Sequence, residues 1–316
     1  MFQHLFSILG RYATQLMAGT VFAALLVPDL AHLAKPLLAP SVWGLLFVAM
    51  VRLDWPSVLH HLRRYPLVLV VLIWLLAISP MLMWGLLLFT ALPPGLVAAL
   101  VLMAASAPLM STPAVSLMIG LDGALALVVM VAATFIVPFT VPFLALELLG
   151  LEIEIGALGM MIRLVAMVGT AFITAMVVRR VLGMDKIQGW WTGFDGILVI
   201  LMAIFVLSIM DGITALLLAE PVRVLLVVGL GFVANGGLQV IGALVFRKLL
   251  KRDRYTLGFV SGNRNMGLIF AVLPASVDPD IFLYFAMAQF PIYVLPALLR
   301  PLYGRLLAGD GNERVL

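Results

Sequence analysis

The sequence predicts an all-α polytopic membrane protein of ten transmembrane helices, built as two inverted five-helix repeats over residues 1–150 and 151–316. Three observations carry that expectation. Hydrophobic residues make up 64% of the 316 and charged ones 11%, with a mean hydropathy of +1.21, far beyond the apolar share of a soluble domain. Turn residues and charges divide the chain into ten stretches near the ~20 apolar residues that cross a hydrocarbon core. The connections between them alternate in charge, as loops on the two sides of a membrane do.

In order, the spans fall near 11–28, 36–52, 66–84, 92–120, 123–148, 156–179, 192–212, 221–247, 255–276 and 279–303. The first has an apolar run too long for a signal peptide and no convincing small-residue cleavage site behind it, so it reads as a span. Fifteen of the 19 Lys and Arg lie on one side, at Arg11 and around 52–64, 179–186, 247–254 and 300–314. The other side holds Lys35, Arg163 and Arg223, and Arg264 is left within the membrane. This bias puts both termini in the cytoplasm, in agreement with an even number of spans. The net charge of +4 therefore marks orientation, and no nucleic-acid partner is expected.

Spans 5 and 10 both carry spaced prolines, in "FIVPFTVPFLAL" (135–146) and "FPIYVLPALL" (290–299). About 30 residues before each lies a span with a polar interruption, "SAPLMSTPAVS" (106–116) and "SGNRN" (261–265). An odd number of spans per repeat forces the two halves into opposite orientations, the inverted-repeat plan of many secondary transporters. Two proline-rich helices arising by chance in a proline-tolerant membrane protein is the alternative.

The interruptions hold the candidate site. In span 4, Pro108 and Pro113 each remove a backbone donor and clash with the preceding turn, so the helix should kink or unwind among Ser106, Ser111, Thr112 and Ser116. Carbonyls freed there need protein, water or a bound ion as partners; a kinked helix with back-bonded hydroxyls is the plainer reading. In span 9, Arg264 lies ten residues beyond Arg254, roughly 15 Å at 1.5 Å per residue and so near the middle of a ~30 Å core. A charge there costs at least about 2.5–3.5 kcal/mol on insertion scales and should face a polar cavity or a partner. Ser261, Gly262, Asn263 and Asn265 surround it. Its structural alternative is donation to the carbonyls of a broken neighbouring helix.

Other polar residues are ambiguous or peripheral. Asn235 and Gln239 of span 8 and Gln289 of span 10 suit a core cavity or interhelical hydrogen bonds equally. Asp195 is expected at the interface beside Trp190 and Trp191. The histidines, His4, His32, His60 and His61, lie at span ends or loops and receive no role. With no cysteine, disulfides, thiolate zinc sites and thiol-based metalloid handling are excluded. No His-Glu-x-x-His, paired intramembrane aspartates or Gly-x-Ser-x-Gly is present, so no enzyme is expected.

On these residues the sequence resembles the bile acid:sodium symporter family. "LDWPSVLHHLRRYPLVL" (53–69) is similar to the family's amphipathic lead-in to span 3, "LPPGLVAALVLMAASAP" (92–108) to the start of crossing helix 4, and "SGNRNMGLIFAV" (261–272) to its helix 9 motif. The resemblance implies a panel of spans 1, 2, 6 and 7, and a core of spans 3–5 and 8–10 in which broken helices 4 and 9 cross. It implies alternating access of an organic, usually anionic, substrate, in a bacterial inner membrane, and a monomer is the expected form.

Gly262 and Asn265 match the helix 9 motif. The family's sodium-binding Glu would fall at Val260, its Gln at Arg264, and its helix 4 Ser-Asn pair near Thr112 and Pro113. A hard cation wants several oxygens and a compensating charge, so sodium is not expected at that site and no other cofactor is called for. Arg264 then takes the place of the family's bound cations, able to hold a substrate carboxylate in a bidentate fork. Direct contacts are expected from Ser261, Gly262, Asn263, Arg264, Asn265, Ser111, Thr112, Ser116, Asn235 and Gln289. A sodium-coupled symporter with a rearranged ion site, and a channel or sensor without coupling, stay open as alternatives.

Overall fold

The computed structural model describes residues 13–53, 55–56, 58, 65–150, 155–274 and 276–308, without the side chains of 13–15, 17 and 18. Arg11, His4, His60, His61, Arg63, Arg64, Glu152, Glu154 and Arg314, on which part of the sidedness and histidine readings rests, lie outside them.

The described chain is helical and holds no strand. In order it forms α1 (Ala13–Leu26), α2 (Pro28–Arg52), α3 (Tyr65–Leu87), α4 (Pro94–Ala105), α5 (Thr112–Met118), α6 (Gly123–Leu148), α7 (Gly156–Leu182), α8 (Met184–Gly189), α9 (Trp191–Ile209), α10 (Ile213–Ala219), α11 (Pro221–Val245), α12 (Lys251–Gly262), α13 (Gly267–Phe270) and α14 (Pro279–Ala308). Among the described residues seven of these, α2, α3, α6, α7, α9, α11 and α14, are long and apolar enough to cross a membrane. That is the make-up of an all-α polytopic membrane protein. The stretches 92–120 and 255–276 are not continuous helices, because α4 and α12 stop midway and resume as α5 and α13.

Contacts divide the chain into two units. The first gathers Met1–Asp54, Leu158–Val224 and Gly267–Ala275. Within it α9 packs against α1 and α2, where the absence of a side chain at Gly44 admits Leu201: a Cβ there would lie 2.9 Å from Leu201 Cδ2. Arg179 of α7 donates to the carbonyls of Val51 and Leu53, both at 2.7 Å, satisfying main-chain acceptors that the end of α2 leaves without helical partners. Arg52 pairs with Asp195 at 2.6 Å and lies 5.7 Å from the Trp191 ring centroid, so the expected interfacial aspartate is an ion-pair partner. Past the end of α9, Asp211 meets Lys35 at 2.9 Å and His32 at 3.3 Å. Burial raises its carboxyl, but the hydrogen bonds and charges of Lys35 and then His32 outweigh that and leave it below its ordinary value.

The second unit gathers Trp55–Ala157, Leu225–Met266 and Ser276–Leu316. Its centre is α4, apolar on every side and buried from Ala98 to Ala105 between α3 and α14, as a helix without a polar face must be. Asp122 caps α6 by accepting from the backbone of Ala124 and Leu125, at 2.9 and 3.0 Å. Its own N–H donates to Thr256 Oγ1 of α12 at 2.9 Å. Helices α11 and α12 approach closely through glycine. A Cβ at Gly262 would collide with the Asn235 carbonyl oxygen and Gln239 Cγ, and one at Gly258 would lie 2.8 Å from the Gln239 carbonyl.

Candidate functional site

Two interrupted helices build the candidate site, and each break has a local cause. Ser106 ends α4 in an extended conformation, φ −74° and ψ 159°, and Pro108 biases its predecessor Ala107 the same way. Pro113 then opens α5 in the first turn, where its missing N–H costs nothing. On the other side of the site no proline is involved. Asn263, at φ −98° and ψ 83°, leaves the helix, and the amide of Asn265 turns away to donate to Ala107 O at 2.6 Å. Leu109 donates in return to Asn263 O at 3.0 Å, so Pro108 and Arg264 form an isolated antiparallel bridge. Main-chain groups released by each break are thereby satisfied by the other, as a low-dielectric interior requires.

Arg264 is 0% exposed and has its guanidinium inside an oxygen cage. Nε donates to Ser261 O at 2.6 Å, Nη1 to Ser106 O at 2.8 Å and Leu75 O at 3.3 Å, and Nη2 to Ser79 Oγ at 2.9 Å. The side chain thus caps α12 itself: Ser261 O is the carbonyl that Asn265 N–H would reach in a continued helix. Among the described residues its partners are three carbonyls and a hydroxyl, none a carboxylate. Four of the five guanidinium donor positions are engaged, which leaves one N–H on Nη2 and no open face for the bidentate fork expected from the sequence.

The cage depends on a π-helical turn, Trp74–Ile78, within α3. There Ser79 N–H reaches back to Trp74 O instead of Leu75 O, and the released Leu75 carbonyl accepts from Ser79 Oγ at 3.1 Å and from Arg264. Ser79 Oγ also lies 3.1 Å from Ala104 O, and Trp74 Nε1 donates to Ser261 Oγ at 2.9 Å. The Ser106 carbonyl is on the broken neighbouring helix that the structural alternative for Arg264 pointed to; Trp74, Leu75 and Ser79 are the participants that sequence reasoning missed. The Ser79–Pro80 pair in an otherwise apolar run is the one signal that pointed to them.

The other expected residues divide. Asn263 Nδ2 donates to Thr112 Oγ1 at 3.0 Å, and Ser116 follows one turn after Thr112, buried. Gly262 is the contact with α11 at Asn235. Asn265 is half-buried and engages through its backbone, and Ser111 is exposed. Gln289 Nε2 bonds back to Phe285 O at 3.1 Å in its own helix, and Gln239 Oε1 accepts from Tyr303 Oη at 2.9 Å; both are helix-to-backbone or helix-to-helix fastenings.

Val260, at the position of the resembled family's acid, is fully buried and brings no oxygen side chain. No group of three or more His, Cys, Asp or Glu among the described residues could hold a metal ion. Compared with known proteins, the sequence matches no family model and no curated protein.

Proposed function

We propose that the chain is a secondary carrier of a small organic anion, working by alternating access without a bound sodium ion, in which Arg264 is a built-in cation. The observation that carries this reading is the Arg264 cage: a buried guanidinium held by Ser261 O, Ser106 O, Leu75 O and Ser79 Oγ with no carboxylate among its partners. Neutral oxygens solvate the charge and do not cancel it, so a positive potential remains inside the second unit for a mobile anion to answer. Arg264 acts on the substrate through that field and through one free N–H, in place of the fork.

Further support comes from three directions. The contact units gather stretches 1–54 and 158–224 apart from 55–157, 225–266 and 276–316, as a panel of spans 1, 2, 6 and 7 would be, while 267–275, the second half of span 9, goes with the first unit and departs from that layout. Two broken helices meeting at mid-chain polar segments fit the inverted five-helix repeats and ten spans expected from the sequence. The absence of an oxygen side chain at Val260 and the presence of a fixed cation both argue against the sodium site of the bile acid:sodium symporter family. With the lipid bilayer as its solvent, the protein would sit in an inner membrane with cytoplasmic termini.

The test is counterflow. Purified protein in liposomes loaded with an unlabelled carboxylate, chosen from a panel by thermal stabilisation, is expected to accelerate entry of the labelled compound at least tenfold over empty liposomes. A steady ionic conductance with no such exchange would replace the carrier by a channel.

A further inference from the structure

Between Arg247 and Arg254 the chain holds Arg247, Lys248, Lys251, Arg252 and Arg254 against a single acid, Asp253. Orientation in a membrane asks only for their charge; the structure also fixes where they stand. Phe246 is buried and sets its ring edge-on to Trp74 of α3, with centroids 6.5 Å apart. Arg254 Nε donates to Ala243 O at 2.9 Å and Arg252 Nη2 to Leu121 O at 3.3 Å, tying α12 to α11 and to the segment before α6. The backbone closes the turn, with Leu249 N–H on Phe246 O at 3.0 Å and Arg254 N–H on Leu250 O at 2.9 Å.

Two cations are left over. Arg247 and Lys248 are exposed, and among the described residues neither side chain makes a hydrogen bond or ion pair. Leu250, at the N-cap of α12, brings no side-chain acceptor to its first turn, so the positive end of that helix adds to the same field. Beside these charges stand apolar side chains, Leu244 and Val245 at the end of α11 and Leu250 in the turn, 54%, 49% and 62% exposed. A soluble anion would answer the charges and leave the apolar groups in water. A phospholipid answers both, with its phosphate on the cations and its acyl chains along the leucines. Depth agrees: α12 has 12 residues, about 18 Å of helix, so a break at the bilayer centre sets Lys251 just beyond the ~15 Å half-thickness of the hydrocarbon core.

We propose that the α11–α12 turn binds the headgroup of an anionic phospholipid, its phosphate held by Arg247, Lys248 and the first turn of α12. Occupancy steadies more than the surface. Phe246 leans on Trp74, Trp74 donates to Ser261 Oγ at 2.9 Å, and the neighbouring Leu75 gives its carbonyl to Arg264. The site does not depend on what the chain carries.

The experiment titrates the purified full chain, in micelles of a neutral detergent, with phosphatidylglycerol, phosphatidylcholine or inorganic phosphate and reads thermal stability. Phosphatidylglycerol is expected to act at a mole fraction about 30-fold lower than phosphatidylcholine, and the double variant Arg247→Gln, Lys248→Gln to lose at least about 10-fold of that preference. Arg180→Gln with Lys186→Gln removes two exposed charges from the first unit and should keep it. Lys248→Gln alone, with a loss of about 5-fold, decides the matter if the double variant fails to fold. Equal action of the two lipids on the wild type, or equal loss in both double variants, overturns the lipid site. Stabilisation by millimolar inorganic phosphate that matches that by phosphatidylglycerol makes the occupant a free anion and overturns it too.

Discussion

Arg264→Gln is expected to remain folded and to lose anion transport by about 100-fold, equivalent to ~2.7 kcal/mol. Glutamine is shorter, uncharged and brings two donors, so it cannot reach four oxygens on α3, α12 and the 106–111 break. The fold should survive because the same elements are joined without it. Ser79 Oγ still reaches Leu75 O and Ala104 O, Trp74 still donates to Ser261, and the Asn265–Ala107 and Leu109–Asn263 backbone bonds stay in place. Removing a buried cation also removes its desolvation cost, which offsets the lost hydrogen bonds. Arg264→Lys retains the charge with fewer, differently aimed donors and should recover part of the activity. Helical content and elution profile would be measured beside counterflow. Transport within twofold of wild type in Arg264→Gln would make the residue a structural fastening only.

Gly262→Val should be the most damaging single change to stability, by at least ~3 kcal/mol. The new Cβ meets the Asn235 main-chain carbonyl and Gln239 Cγ, and a backbone atom cannot rotate away as a side-chain tip can. Helix α12 would have to withdraw from α11, carrying Asn263 and Arg264 out of register with Thr112 and Ser106. Gly236→Ala is the control on the same helix pair: nothing lies within 4 Å of the place its Cβ would take, and a mid-helix Gly→Ala change is neutral to stabilising by about 0.5–1 kcal/mol. Thermal denaturation of both variants in detergent decides the matter. Similar stability of the two would mean that the close approach of α11 and α12 does not hold the site together.

The helical, membrane-spanning character was legible because composition and apolar run length are local properties. So were the breaks: Pro108 and Pro113 announce one, and Ser-Gly-Asn-Arg-Asn is too polar to continue the other. Arg264 was found for the same reason, as a charge where hydrocarbon was expected. Donation to carbonyls of a broken neighbouring helix was legible as its structural alternative, and Ser106 O is one of them. Its contacts with α3 were not legible: Leu75 offers a main-chain carbonyl, which no side-chain pattern reports, and Leu75 O is available only because a π-helical turn shifts the Ser79 N–H to Trp74 O. The Arg52–Asp195 pair spans 143 residues of sequence, and Gln239 finds Tyr303 64 residues on; only the fold brings such partners together. The expectation of a bidentate fork counted the charge of Arg264 and not the donors that its own surroundings consume, which are four of the five.

The central claim is that a side-chain cation has taken the place of a transported one. It is tested most directly by measuring counterflow or uptake of one carried anion in proteoliposomes, in matched sodium and choline buffers at equal ionic strength. Equal rates in the two buffers are the predicted result. A clear requirement for sodium would contradict it, because the ion would then have to bind at oxygens other than those that Arg264 already occupies.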